Sequence, residues 1–178
     1  MKGLIHVCCA NCLIYPLKVL HKKGWEMTGF FYNPNIHPYR EYRQRLETAK
    51  EYERQVGLKV IYRDEYDLEG FLRGVVYREH ERCKHCYYSR LEATAQTAKG
   101  EGFDAFTTTL LYSKHQNQSL IKEIGESLAK LFSIPFHYED FRKGWQEGIR
   151  ESKAMGLYRQ QYCGCIYSEK ERYWGKKK

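Results

Sequence analysis

Seven cysteines fall in three tight groups: Cys8, Cys9 and Cys12; Cys83 and Cys86; Cys163 and Cys165. The number is odd and the thiols are paired at C-x-x-C and C-x-C spacing, which suits a soft metal better than a disulfide framework. The groups come from the beginning, middle and end of the chain. Any fold that uses them together must bring three remote segments to one place.

The remaining pattern says how. Leu4 to Val7 reads as a short apolar strand that runs into the first cysteine group, followed by a helix over about Cys12 to Lys23. A second strand, about Met27 to Tyr32, stops at the turn-forming Asn33-Pro34-Asn35. Tyr39, Tyr42, Leu46, Ala49, Tyr52 and Val56 then recur at helical spacing until Gly57. Leu58 to Tyr62 reads as a third strand, with helical stretches around Leu68 to His80 and Lys84 to Lys99. Asp104 to Leu111 is a fourth strand, followed by a polar loop at Ser113 to Asn117 and a helix marked by Leu120, Ile121, Ile124, Leu128 and Leu131. Pro135 to Tyr138 supplies a fifth strand, and a last helix spans about Lys143 to Ala154.

Strands alternating with helices imply βαβ units. The expected fold is a doubly wound α/β sandwich on a mostly parallel five-stranded sheet. A length of 178 residues, with no linker or repeat, suits a single domain over 1–178. Function in such a fold gathers at the carboxyl ends of the strands. Cys8, Cys9 and Cys12 follow the first strand and the Ser113 to Asn117 loop follows the fourth, so both belong to that edge.

Thirty Lys and Arg against 22 Asp and Glu leave a net charge of +8, which favours an anionic partner, with nucleic acid ahead of membrane. Sixteen Tyr and eight Phe among the basic residues tilt this towards RNA, where rings stack on exposed bases. No apolar run approaches the ~20 residues of a membrane span. His6 interrupts the only apolar stretch near the N-terminus, so the expected location is the cytoplasm and no membrane is involved.

One Zn²⁺ or one [4Fe-4S] cluster takes four thiolates. Seven cysteines leave three over, and the expectation is a [4Fe-4S] cluster with a second metal ion nearby, iron being suited to the soft ligands. A structural Cys₄ zinc site is the competing reading. His6, in a buried strand, reads as a core histidine, whereas His85 between two cysteines and His115 in the polar loop are candidates for proton supply. No glycine-rich loop of either phosphate-binding type is present.

Three segments carry a likeness. His6-Val7-Cys8-Cys9-Ala10-Asn11-Cys12, Cys83-Lys84-His85-Cys86-Tyr87-Tyr88-Ser89-Arg90-Leu91 and Tyr158 to Ser168, with its Tyr162-Cys163-Gly164-Cys165 element, resemble the QueH family of cobalamin-independent epoxyqueuosine reductases. Asn11 departs from the family pattern, which has proline there.

The resemblance implies an adenine-nucleotide α-hydrolase-like, Rossmann-like sheet and the last step of queuosine formation on tRNA. The implied reaction removes an epoxide oxygen from a cyclopentane ring with two electrons and two protons. It makes all seven thiols metal ligands, with Cys83 and Cys86 foremost for the cluster and Cys8, Cys9, Cys12, Cys163 and Cys165 undivided between cluster and second metal. It adds Tyr162 to His85 and His115 as proton sources, and Tyr158, Arg159, Gln160 and Gln161 as contacts for a splayed anticodon-loop base. An external electron donor is required. Arg40, Arg43 and Arg45, and Lys176 to Lys178, are candidate phosphate contacts. A tRNA-thiolating iron-sulfur enzyme and a zinc-stabilised, non-catalytic RNA-binding module are the alternatives.

Overall fold

The structure, a computed structural model, describes residues 1–175. Lys176, Lys177 and Lys178, read above as phosphate contacts, lie outside the described residues.

Strand β1 (Lys2–His6) is buried along four of its five residues and pairs in parallel with β2 (Glu26–Phe31) and β4 (Ala105–Thr108); β3 (Val60–Tyr62) adds to the far side of β2. The order is β3-β2-β1-β4. Helix α1 (Ala10–Lys22) packs on α2 (Tyr39–Val56) and, later in the chain, on α6 (Trp145–Ala154). Helix α4 (Arg82–Gly100) packs on α5 (Gln118–Phe132) and against β1 and β4. The parallel sheet is thus flanked by helices, and β1 and β4, covered on both faces, carry the near-continuous apolar or small residues such strands need.

Local chemistry sets the element ends. Gly57 closes α2 with φ +65, a left-handed conformation that costs glycine little. Asp67 accepts a bond from Gly70 N at 2.8 Å to start α3 (Leu68–Val75), and Asn117 accepts from Leu120 N at 3.1 Å to start α5.

The structure corrects the sequence reading in three places. The sheet has four strands, not five: Pro135 to Tyr138 contributes one parallel bridge, Phe106 to Phe136, flanked by Phe106 N to Pro135 O and His137 N to Phe106 O bonds. Proline has no amide hydrogen to extend the ladder. The fourth strand ends at Thr108, whose hydroxyl accepts from Leu110 N and turns Thr109–Tyr112 into a 3₁₀ segment. A further helix, α7 (Ile166–Tyr173), follows the last cysteines; with no residue of it buried, its pattern has no apolar stripe to read.

Candidate metal centre

Strand order reverses between β1 and β4, and the crevice at their carboxyl ends is where an open α/β sheet places its site. Cys8 and Cys9 leave the end of β1 and Cys12 lies in the first turn of α1. Thr109, just beyond β4, ties the two strand ends together: its hydroxyl accepts from Cys8 N at 3.0 Å and lies 3.2 Å from Cys8 Sγ. All three thiols are buried, and their Sγ atoms lie within 4.8 Å of one another, with Cys8 and Cys9 at 3.9 Å. Three sulfurs around one ion at 2.3 Å stand roughly 3.8 Å apart in tetrahedral geometry, so the donor set fits a single soft metal. Hydrogen bonds from Cys12 and Cys9 hold the Cys8 thiol well below its ordinary pKa, burial pushes Cys9 up, and the bond to Cys8 raises Cys12.

The other four thiols form a second, more open set. Cys83 and Cys86 sit in the first turns of α4, Cys163 and Cys165 in the segment leading into α7, and all four line one cavity of about 210 Å³. Among the described residues only Cys8, Cys9 and Cys12 bring three metal-ligating side chains within 4.8 Å, so no three of these four close around a single point. Burial pushes Cys86 up to about 12 and also raises Cys83.

Arg90 stands between the sets. It is 3% exposed, its guanidinium contacts Cys86 Sγ, its Nε donates to Cys86 O at 3.1 Å and Nη1 to Asn33 Oδ1 at 3.4 Å. Burial opposes its charge, but the thiols Cys86, Cys163 and Cys8 hold it protonated. A second buried arginine secures the C-terminal segment. Arg45 pairs with Glu41 at 2.7 Å and donates to the carbonyls of Cys163 (2.7 Å) and Tyr162 (2.9 Å). His37 adds backbone and ring contacts, accepting from Ile166 N at 3.3 Å and donating its own N–H to Gly164 O at 2.8 Å.

A larger cavity of about 470 Å³ opens over both sets, within the usual size range of ligand pockets. Cys8, Cys12 and Cys163 line it together with Arg90, Arg159 and Trp145.

A family profile described as Epoxyqueuosine reductase QueH matches residues 4–171. The chain belongs to the QueH family. An epoxyqueuosine reductase QueH of Dehalococcoides mccartyi is 37% identical over 97% of this chain and 94% of its own length. That of Thermotoga maritima is 40% identical over 95% and 91%. Among solved structures, the U34-tRNA thiolase NcsA of Methanococcus maripaludis with its [4Fe-4S] cluster aligns with TM-score 0.61 and 14% identity, covering 94% of this chain and 61% of that one. A predicted subunit of a tRNA methyltransferase from Methanocaldococcus jannaschii aligns at TM-score 0.57, also with 14% identity, over 86% of this chain and 74% of that one. At such identity these two carry the fold alone. Among the described residues no helix is long and apolar enough to cross a membrane.

The other site residues read from this QueH sequence are placed unevenly. His115, Arg159, Gln161 and Tyr162 line the large cavity, and His115 stands edge-on to Trp145 with centroids 6.0 Å apart. Gln160 lines it too, but its amide nitrogen is 2.8 Å from Cys9 Sγ. His85 lines neither cavity and lies against Gly74 and Phe71. Tyr158 is turned inward, its hydroxyl 2.5 Å from Glu41 Oε2. His6 is a core histidine, as its strand position implied: fully buried, 3.0 Å from Thr108 Oγ1, its pKa lowered to about 4 by burial and then by Arg90. Of the three α2 arginines read as phosphate contacts, Arg40 is exposed and Arg43 is paired with Glu47 and Asp64, but Arg45 is 2% exposed and is not part of any surface patch.

Sequence reading missed Arg90, Thr109 and Trp145 as members of the site. Arg90 had one available signal, since it sits four residues after Cys86 on the same helix face. Thr109 and Trp145 had none.

Proposed function

We propose that this QueH-family chain is an epoxyqueuosine reductase acting as a single α/β domain, removing the epoxide oxygen of epoxyqueuosine in tRNA to give queuosine and water. One observation carries the reading: a tight and a wide thiol set lie beside two cavities at the strand reversal that share Cys163 and Arg90, the larger of them nucleoside-sized and reached by Cys8, Cys12 and Cys163. The 3+4 division supports Cys8, Cys9 and Cys12 as holders of a single ion, iron by softness, and Cys83, Cys86, Cys163 and Cys165 as holders of a [4Fe-4S] cluster. The wide spacing of the four argues against a Cys₄ zinc site, whose sulfurs would crowd around one point.

When bound, these groups supply single electrons and a Lewis acid for the departing oxygen. The chain's own residues do the rest. Trp145, half-buried on the cavity wall and backed by the buried Tyr112 ring with centroids 5.2 Å apart, offers a face on which a splayed anticodon-loop base stacks. Arg159 and Gln161, exposed at the rim, are in position to bind the nucleotide and its phosphate. His115, exposed and lining both cavities, is the best-supported proton donor. Tyr162 is a weaker one, because its hydroxyl already donates to His37 O at 2.6 Å and its pKa is raised by burial and then by Glu41. An external carrier in the cytoplasm would supply the electrons.

The thiolase and RNA-binding alternatives are not favoured, since the full-length relatives carry the reductase name. The test is anaerobic purification or reconstitution followed by incubation with epoxyqueuosine-containing tRNA and a chemical reductant. Brown protein with about four or more irons and formation of the alkene product are expected; colourless zinc protein, or iron-loaded protein without product, overturns the reading.

A further inference from the structure

Two glutamines, remote in sequence, are held in the same way. Gln116 Oε1 accepts from Tyr87 Oη at 2.6 Å, and its Nε2 points to Cys163 Sγ at 3.1 Å. Gln160 Oε1 accepts from Asn11 Nδ2 at 2.8 Å, and its Nε2 points to Cys9 Sγ at 2.8 Å and Cys12 Sγ at 3.7 Å. A free carboxamide can present either end. Here each oxygen is occupied by a donor, so the amide nitrogen must face sulfur. The pins are themselves anchored: Asn117 N donates to Tyr87 Oη at 3.2 Å, and Asn11 Nδ2 also donates to Tyr158 O at 2.8 Å.

We propose that Gln116 and Gln160 are matched positioning residues, each delivering one fixed N–H donor to one thiol set, Gln116 to the four-thiol site and Gln160 to the three-thiol site. The assignment rests on the thiols being metal ligands. It moves Gln160 from the substrate to the metal, because neither end of its amide is free to read a base. Donors to ligand sulfur offset the charge that reduction adds, which favours the reduced state and strengthens metal binding. Arg90 does this for Cys86 with a full charge; the glutamines do it without one.

The experiment compares the full chain with Gln116→Glu and Gln160→Glu, each replacing an amide N–H by an oxygen that faces sulfur. Gln116→Glu should shift the one-electron equilibrium of the four-thiol cluster about tenfold towards the oxidised form, 59 mV in a redox titration followed by electron paramagnetic resonance, and leave cobalt uptake unchanged. Gln160→Glu should weaken Co²⁺ binding at the three-thiol site about tenfold, read from the sulfur-to-cobalt charge-transfer band, and leave the potential unchanged. Tyr87→Phe and Asn11→Ala remove only the pins and should move the same two readouts in the same directions by smaller amounts; they decide the matter if a glutamate variant fails to fold. Unchanged potential and cobalt affinity, or an effect confined to the KM for tRNA, overturns the assignment while leaving the reductase reading intact. An unmodified protein that takes up neither iron nor cobalt overturns both.

Discussion

The two thiol sets are built by opposite strategies. Cys8, Cys9 and Cys12 come from one strand-to-helix junction, and the backbone of β1 and α1 alone brings them close. Cys83, Cys86, Cys163 and Cys165 come from two remote segments, brought together as Arg45, His37 and Tyr162 tie down the C-terminal stretch and Arg82 of α4 pairs with Glu171 of α7. The first set is buried on every member, whereas Cys83 and Cys163 of the second are exposed. A local site is preorganised by secondary structure, while a site assembled from remote segments inherits the stability of the contacts that dock them. The second set should therefore be the one that fails first, and it is also the one open to solvent.

That contrast can be broken outright by removing one thiol from each set. Cys83→Ala is expected to abolish the visible cluster chromophore while Co²⁺ binding at Cys8, Cys9 and Cys12 persists, and Cys12→Ala to do the reverse; a spectrum unchanged by Cys83→Ala removes that residue from the ligand set. Next in size is Arg45→Ala, which leaves Glu41 buried without its cation and two carbonyls without donors. A loss of about 3–5 kcal/mol in denaturant unfolding is expected, with iron retention at the four-thiol site lost before cobalt binding at the other.

Acid should act on the same docking. His37 is fully buried, and burial lowers its pKa to about 4 against the attraction of Asp67. Its folded-state pKa lies below the unfolded value of about 6.5, so the unfolded chain binds the proton first and stability falls as pH drops from about 6.5 to 4, by up to about 3 kcal/mol. Protonation also takes away the acceptor for Ile166 N at the start of α7. Unfolding of the metal-free protein as a function of pH measures the slope, and His37→Gln should flatten it. His6 contributes in the same direction from the other side of the site. The smallest effect is expected from Asp67→Ala, which removes the cap of α3, whose Phe71 and Val75 pack with Cys165. About 1 kcal/mol should be lost, with the four-thiol site loosened and the three-thiol site untouched.

Much of this was legible before any coordinates. The strand and helix order, Gly57 as the end of α2, His6 as a core residue and the edge position of the first cysteines follow from periodicity and turn chemistry, which act over a few residues. The fifth strand was misread because an apolar run after a proline looks the same whether it makes one bridge or four. Arg45 was misread because arginine on a charge-rich helix is normally solvated, and only the meeting of α2 with the Cys163 segment encloses it.

The sequence by itself determined an alternating α/β chain with three groups of soft ligands and the family to which those groups belong. Only the tertiary structure decided how the seven thiols divide, which arginine is buried between them and which glutamine ends face sulfur. The reason is range: spacing along a chain specifies contacts within a turn or a strand pair, whereas the company a side chain keeps across a crevice depends on how all the layers pack.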